Sequence, residues 1–320
     1  MPALSAFADP ALTARFAADL AAVWDGPGQL GLAVSGGPDS LALLVLAQAV
    51  LPGRVAAATV DHGLRAESAG EAAMVAALCH RLRVPHQTLP VTLGPGNLQA
   101  QARSARYAAL AGWLQTEGLA ALATAHHADD QAETLLLRLA RASGAAGLAG
   151  VRARAVVPGT RLPLVRPVLG WRRAELADIA ARAGLTPVQD PSNQDDRFDR
   201  ARIRKALAQA DWLDVAALAR SAANLADADA ALDWAAQREW TEGVTKAPLG
   251  YTYRPAAPRA IALRVLTRIV TELDGAEPRG AAVAKLFDSL LARQPASIGH
   301  LVVRPMPEGW SFSKAPQRRS

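Results

Sequence analysis

Four short apolar runs in the first 125 residues are each followed by a longer stretch in which Leu, Val and Ala recur at helical spacing. That alternation restricts the chain to strand–helix repeats laid against a parallel sheet. The runs at 30–35, 55–61, 86–91 and 119–125 predict strands, and 39–51, 67–82, 99–117 and 129–142 predict helices. The fold class expected is α/β: an open, mostly parallel sheet with helices on both faces, whose ligands bind beyond the carboxyl ends of the strands. After Gly144 the pattern breaks. Gly, Pro and Arg dominate up to residue 173, which predicts an extended segment or hairpin before a helix at 171–183. From Asp211 the chain turns alanine-rich, with helices expected at 215–240, 258–273 and 280–291 and a terminal hairpin within 300–314, around residues 307–309. The division expected is an α/β domain over 1–210 and a smaller, mainly α-helical domain over 211–320.

Cysteine usage narrows the chemistry. Cys79 is the only cysteine in 320 residues, which excludes a disulfide scaffold, a cysteine-ligated zinc site and any Cys-x-x-Cys reaction. At 79 it reads as a small hydrophobe of a helix. The first residues lack a basic start ahead of an apolar core, and no apolar run approaches about 18 residues. Neither a signal peptide nor a membrane span is expected, and a reduced, cytoplasmic setting fits. Charge is unevenly spread: residues 1–150 carry 9 basic and 11 acidic side chains, whereas residues 151–320 carry 26 and 18. An arginine-rich second half suits phosphate oxygens, although a solvated surface has the same composition.

Three loops fall where strands predict ligand sites. Gly26-x-Gly28-x-x-Gly31 matches the dinucleotide fingerprint but precedes its strand, so it reads as a loop leading into that strand. Ser35-Gly36-Gly37-Pro38-Asp39-Ser40 lies between strand and helix. Its two glycines permit a positive φ and close backbone approach, so successive N–H groups and the helix N-terminus can converge on phosphate. Ser35 and Ser40 add hydroxyls, and Asp39 either caps the helix or holds a magnesium ion. The second loop, Asp61-His62-Gly63-Leu64-Arg65, serves nucleotide contact or a simple turn. The third, His126-His127-Ala128-Asp129-Asp130-Gln131-Ala132-Glu133-Thr134, opens a helix on which Asp129 and Glu133 are four apart and Asp130 and Glu133 three apart. Acids gathered at one point repel, raise a proton affinity or need a cation, which magnesium or an incoming ammonium group would supply. A zinc site is the weaker reading, because adjacent histidines lack the four-residue helical spacing.

Ser-Gly-Gly-x-Asp-Ser resembles the loop of the N-type ATP pyrophosphatases (PP-loop superfamily, an adenine nucleotide alpha hydrolase-like fold), which split ATP to AMP and pyrophosphate. With Asp61-His62-Gly63-Leu64-Arg65 and His126-His127-x-Asp129-Asp130-Gln131-x-Glu133-Thr134, the chain resembles the tRNA(Ile)-lysidine synthetase family. The likeness continues through Asn97, Ala102-Arg103-x-x-Arg106-Tyr107, Arg141-x-Ser143-Gly144, Arg166-Pro167, Asp190-Pro191-Ser192-Asn193 and Arg200-x-Arg202-Ile203-Arg204. It spans about residues 30 to 205. Gln99 stands where many members have Glu, Ala142 where Gly is usual and Ala201 where Asn is common. Beyond 211 only the general helical character of the family's second domain is recognisable.

The resemblance implies an enzyme, a carbon–nitrogen ligase that joins L-lysine to the wobble cytidine of isoleucine tRNA with a CAU anticodon, using ATP and Mg2+. The cytosine oxygen attacks the α-phosphate, pyrophosphate leaves, and the lysine side-chain amine then displaces AMP. On this reading the catalytic residues are Asp39, Asp130, Glu133 and Arg106. Ser35, Gly36, Gly37, Asp39, Ser40, Asp61, His62, Arg103 and His126 bind the nucleotide. Asp129, Asp130, Glu133, Asn193, Arg202 and Arg204 bind substrate, and Asp39 and Asp129 hold the metal. The rival readings are another PP-loop enzyme acting on tRNA, such as a thiolase, and a catalytically silent tRNA-binding protein.

Overall fold

The computed structural model describes residues 9–63, 68–92, 98–188 and 199–315. The chain divides into two compact units at Ala226 and Asp227. The first is built on a six-stranded sheet of β1 (Leu30–Ala33), β2 (Val55–Asp61), β3 (His86–Pro90), β4 (Ala121–Ala123), β5 (Arg154–Val156) and β6 (Pro163–Val165). Their order is β3-β2-β1-β4-β6-β5, and every neighbouring pair is parallel except β5 with β6. The α/β expectation therefore holds, and the Gly/Pro/Arg stretch forms the expected hairpin as β5 and β6.

Alternation along the strands sends side chains to two separate cores, as the period of two requires. Leu30, Leu32, Ala57, Ala121, Ala123 and Val165 face one core, filled by α1 (Pro10–Val23), α2 (Pro38–Val50), α3 (Ser68–Leu82) and α7 (Arg173–Arg182). Ala56, Ala58, Leu122 and Leu164 face the other, filled mainly by Tyr107, Leu110, Trp113 and Leu114 of α4 (Leu98–Thr116). Helices thus cover both faces. Residues 40–47 of α2 are all buried, which is why its sequence is apolar on every side. Gly31 permits the close approach of α4, since a Cβ there would lie 2.8 Å from Leu114. The glycine decoy is a loop into β1, its Gly26 and Gly28 carbonyls held by the Arg54 guanidinium. Cys79 is fully buried, and burial pushes its thiol up to about 12.

Helix α1 lies outside the strand–helix pattern expected from the sequence. Asp9 caps it by accepting from the Ala11 amide at 2.8 Å and Pro10 opens it, a pairing typical of helix starts. After α5 (Ala128–Leu139), Ala142 adopts φ +50° in the turn before the short α6 (Ala145–Leu148). An L side chain is strained there by roughly 1–2 kcal/mol, whereas glycine is free of that strain but gives more entropy to the unfolded chain. Ala142→Gly is therefore expected to stabilise the protein by about 0.5–1 kcal/mol. A raised thermal midpoint would agree, and an unchanged or lowered one would contradict it.

Helices α8 (Asp199–Gln209) and α9 (Val215–Gly243) follow, and the division between units falls within α9. The second unit contains α10 (Arg259–Asp274) and α11 (Gly280–Leu291), as expected, together with β7 (Val244–Ala247), β8 (Gly250–Tyr253), β9 (Ala296–Ile298), β10 (Leu301–Met306) and β11 (Gly309–Lys314). These five strands form an antiparallel sheet in the order β7-β8-β11-β10-β9. The unit is thus mixed: its helices and the terminal hairpin β10–β11 match the sequence expectation, and the rest of the sheet adds to it. Its core packs Val265, Leu266 and Ile269 of α10 and Leu286 of α11 against Val303 and Phe312. Trp310 meets Tyr253 and Phe287 edge to face. Among the described residues no helix is long and apolar enough to cross a membrane.

Candidate active site at the ends of β1 and β4

The chain runs from β1 outward to β2 and β3, then returns to β4 on the opposite side of β1. Loops leaving two such strands diverge and open a crevice, the favoured ligand position of an open α/β sheet. Here the crevice is a cavity of about 600 Å³. Its walls include Ser35, Gly37, Asp39 and Ser40 after β1, His62 after β2, Arg106 on α4, and His126 and Asp130 after β4.

The loop after β1 is held from within. Gly36 has φ +83°, and a Cβ there would press on Val188, Met74 and Val75 at 3.3–3.4 Å, so glycine is required on both counts. The Ser40 hydroxyl accepts from the Ser35 amide at 3.1 Å and donates to the Gly37 carbonyl at 3.0 Å, fixing the turn. Gly37 caps α2 without a side-chain bond, leaving the first turn open to an anion. Asp39 leans toward α5, where its Oδ2 lies 3.5 Å from His127 Nε2, while its Oδ1 is buried with no hydrogen-bond partner among the described residues.

Opposite, His127 caps α5. Its amide donates to Asp130 Oδ2 at 3.2 Å, and the Asp130 amide points at Nδ1 from 3.4 Å, a reciprocal box. The ring is 3% exposed. Burial pulls its pKa down, but Asp39, Asp130 and Asp129 together outweigh that and raise it. His126 goes the other way: its Nδ1 shares a hydrogen bond with Thr124 Oγ1 at 2.9 Å. Burial, with Arg166, Arg103 and Arg200 adding to it against Asp130, pushes it down to about 4, so it is a neutral imidazole at physiological pH. Burial and Arg106 likewise lower His62. The adjacent histidines therefore serve different walls.

The remaining candidates separate by partner. Asp129 turns away from the cavity to the start of α7, accepting from the Arg173 amide at 2.8 Å and from the Arg172 guanidinium at 3.2 and 3.3 Å. Burial raises its pKa, yet the Arg173 amide and Arg172 overcome this and lower it. Both oxygens are engaged, which leaves Asp129 poorly suited to a metal or a substrate and makes it the tie between α5 and α7. Glu133 is 2% exposed and accepts at Oε1 from Arg204 Nε at 2.8 Å, with Oε2 buried and unpartnered among the described residues. Arg202, two residues before Arg204, lies on the exposed face of α8 with Asp199. Arg103 stacks over Tyr107, 5.2 Å from its ring centre. Asp61 accepts from the Gly63 amide at 2.9 Å, which lowers its pKa, and it does not line the cavity. Asn193, with Asp190, Pro191 and Ser192, lies outside the described residues, as do Asn97, Leu64 and Arg65.

The cavity also takes in Thr59, Thr124, Tyr107 and Arg200. Thr59 and Thr124 are legible in the sequence as the single hydroxyls inside their apolar strand runs. Arg166, 5% exposed, hydrogen-bonds to Tyr107 and donates to the Arg152 carbonyl, so a buried cation backs this wall.

Residues 11–211 match the PP-loop domain family. The chain is 49% identical over 310 residues to a tRNA(Ile)-lysidine synthase of Novosphingobium aromaticivorans, covering 96% of this chain and 94% of that one. It is 40% identical over 299 residues to the tRNA(Ile)-lysidine synthase of Zymomonas mobilis, covering 91% and 90%. Among solved structures it is similar to a U34-tRNA thiolase of Methanococcus maripaludis, with a TM-score of 0.56 and 15% identity over 67% of this chain and 76% of that one. That likeness speaks to fold.

Proposed function

The chain belongs to the tRNA(Ile)-lysidine synthases, ATP-using ligases built on a PP-loop domain, and on that premise we propose how its residues divide the work. The substrates are isoleucine tRNA with a CAU anticodon, L-lysine and ATP; the products are lysidine at the wobble position, AMP and pyrophosphate. In the first step the cytosine oxygen bonds to the α-phosphorus and the bond to the β-phosphate oxygen breaks. In the second the lysine amine replaces AMP on the base.

Departing pyrophosphate needs positive potential already in place. The uncapped first turn of α2 and the amides of the Ser35–Ser40 loop supply it, with Ser40 holding their geometry. The buried Oδ1 of Asp39, unpartnered among the described residues, is the oxygen that would hold a Mg2+ ion. When bound, such an ion would supply charge neutralisation at the phosphates. Asp129 does not share that task, since Arg172 and Arg173 occupy its oxygens. Arg106, on the cavity wall, takes the α-phosphate, with Arg103 one turn away as its support. His62 and neutral His126 flank the nucleotide, and Asp61 shapes the turn that carries His62.

Lysine arrives as an ammonium ion and must lose a proton before it attacks. Asp130 faces the cavity and meets the ammonium group; Glu133, one turn on, offers the buried Oε2 that has no donor among the described residues. Arg204 holds Glu133 in position, and Arg202 contacts RNA phosphate from the exposed face of α8. The second unit grips tRNA, and the cytoplasm is the compartment.

The carrying observation is a cavity with a phosphate-type loop on one wall and Asp130 on the other. A thiolase reading has to rely on Cys79, whose buried thiol is raised to about 12 and is unsuited to sulfur transfer. The test is the mass of tRNA after incubation with ATP and lysine. A lysine adduct on the wobble cytidine is expected; unmodified tRNA, or tRNA carrying sulfur, would overturn the proposal.

A further inference from the structure

We propose that the exposed ends of α5 and α8 form one phosphate-binding ridge, along which the RNA strand flanking the modified nucleotide runs to the cavity mouth. This rests on tRNA being the substrate. Arg138 projects from the last turn of α5, Arg141 from the turn just after it, and Arg202 and Lys205 from one face of α8, all exposed. The two helices pack against each other. Arg200, on the opposite face of the same helix, lines the cavity, so α8 presents cations both to the site and to the ridge.

Asp199 joins α8 to the turn after α5. One of its oxygens accepts from Arg141 at 2.7 Å and the other from Arg202 at 2.5 Å. Ion pairs this exposed contribute little to stability, with a median of about 0–1 kcal/mol. Their effect here is to set two guanidinium groups, one after α5 and one on α8, at a fixed spacing, each retaining donors for a phosphate. Among the described residues of the ridge Asp199 is the one acid beside four cations, and a polyanion is the complementary partner. Arg138 forms no ion pair among the described residues, and its stem runs beside Gly147 of α6, where a Cβ would stand 3.9 Å from the Arg138 Cδ. The neighbouring residues 142–147 are Ala, Ser, Gly, Ala, Ala and Gly, so this stretch brings no bulky side chain beside the arginines.

The test is the Arg138→Gln/Arg141→Gln enzyme, assayed for tRNA binding across a salt series and for KM of tRNA and of ATP. Removing one phosphate-binding cation should reduce the slope of log K against log salt by about 1, so a change of about 2 is expected. The KM for tRNA should rise about tenfold or more near physiological salt, with the KM for ATP unchanged. If the double variant fails to fold, Arg138→Gln alone carries the test with a slope change of about 1. A variant whose tRNA KM and salt slope match the parent overturns the ridge, as does a loss that falls equally on ATP. Failure of the tRNA-substrate reading is distinct: the parent enzyme itself would then leave tRNA unmodified.

Discussion

Asp130→Asn enzyme is expected to adenylate its tRNA and then stall, losing lysine transfer by roughly 10²–10⁴-fold, the range a positioned base contributes. The substitution is nearly isosteric, and its side-chain oxygen can still accept from the His127 amide, so the cap of α5 survives. What disappears is the charge that faces the cavity. Without it the ammonium ion of lysine loses both its counter-charge and its proton acceptor. The tRNA affinity should stay within a few fold, because Asp130 lies on the cavity wall and not on the arginine ridge. Labelled lysine incorporation, set beside tRNA-dependent ATP–pyrophosphate exchange, separates the two steps. A variant that transfers lysine at the parent rate would remove Asp130 from the mechanism.

Arg204→Met carries the largest expected cost in stability. Glu133 has a side chain only 3% exposed, and Arg204 is its ion-pair partner. Removing one partner of a buried pair leaves a charge without compensation, typically costing about 3–5 kcal/mol. The Arg204 side chain is itself 33% exposed, which places the expected loss near the lower end, at about 3 kcal/mol. In a unit of this size each kcal/mol lowers the melting point by roughly 2–4 °C, so a fall of about 6–12 °C is expected. Adding Glu133→Gln removes the stranded charge and should restore most of that fall. A single variant that melts like the parent, or a double variant no better than the single, would show that the pair does not anchor α8 to α5.

Local patterns carry the strands, the glycine loop and the acids of α5, because period-two and period-3.6 spacing act within a few residues. Helical spacing also separates the cations of α8. Arg200 and Arg204 are four apart and share a face toward the cavity and Glu133, while Arg202 falls opposite. Asp9-Pro10 is likewise a readable helix start. Asp129 and Asp130, by contrast, are adjacent acids of the same first turn, and what tells them apart is Arg172 and Arg173, more than forty residues later in the chain. Long-range partners of this kind have no local signature. Strands β7, β8 and β9 give little signal because they are three or four residues long and mostly half-exposed, with no clean alternation.

Central to the proposed chemistry is that the loop after β1 receives the β- and γ-phosphates as a departing unit. With ATP labelled at the γ-phosphate, and with isoleucine tRNA and lysine present, the label should leave as pyrophosphate in step with AMP and only when the tRNA is added. Label appearing as orthophosphate with ADP, or ATP left intact in the complete mixture, would contradict it.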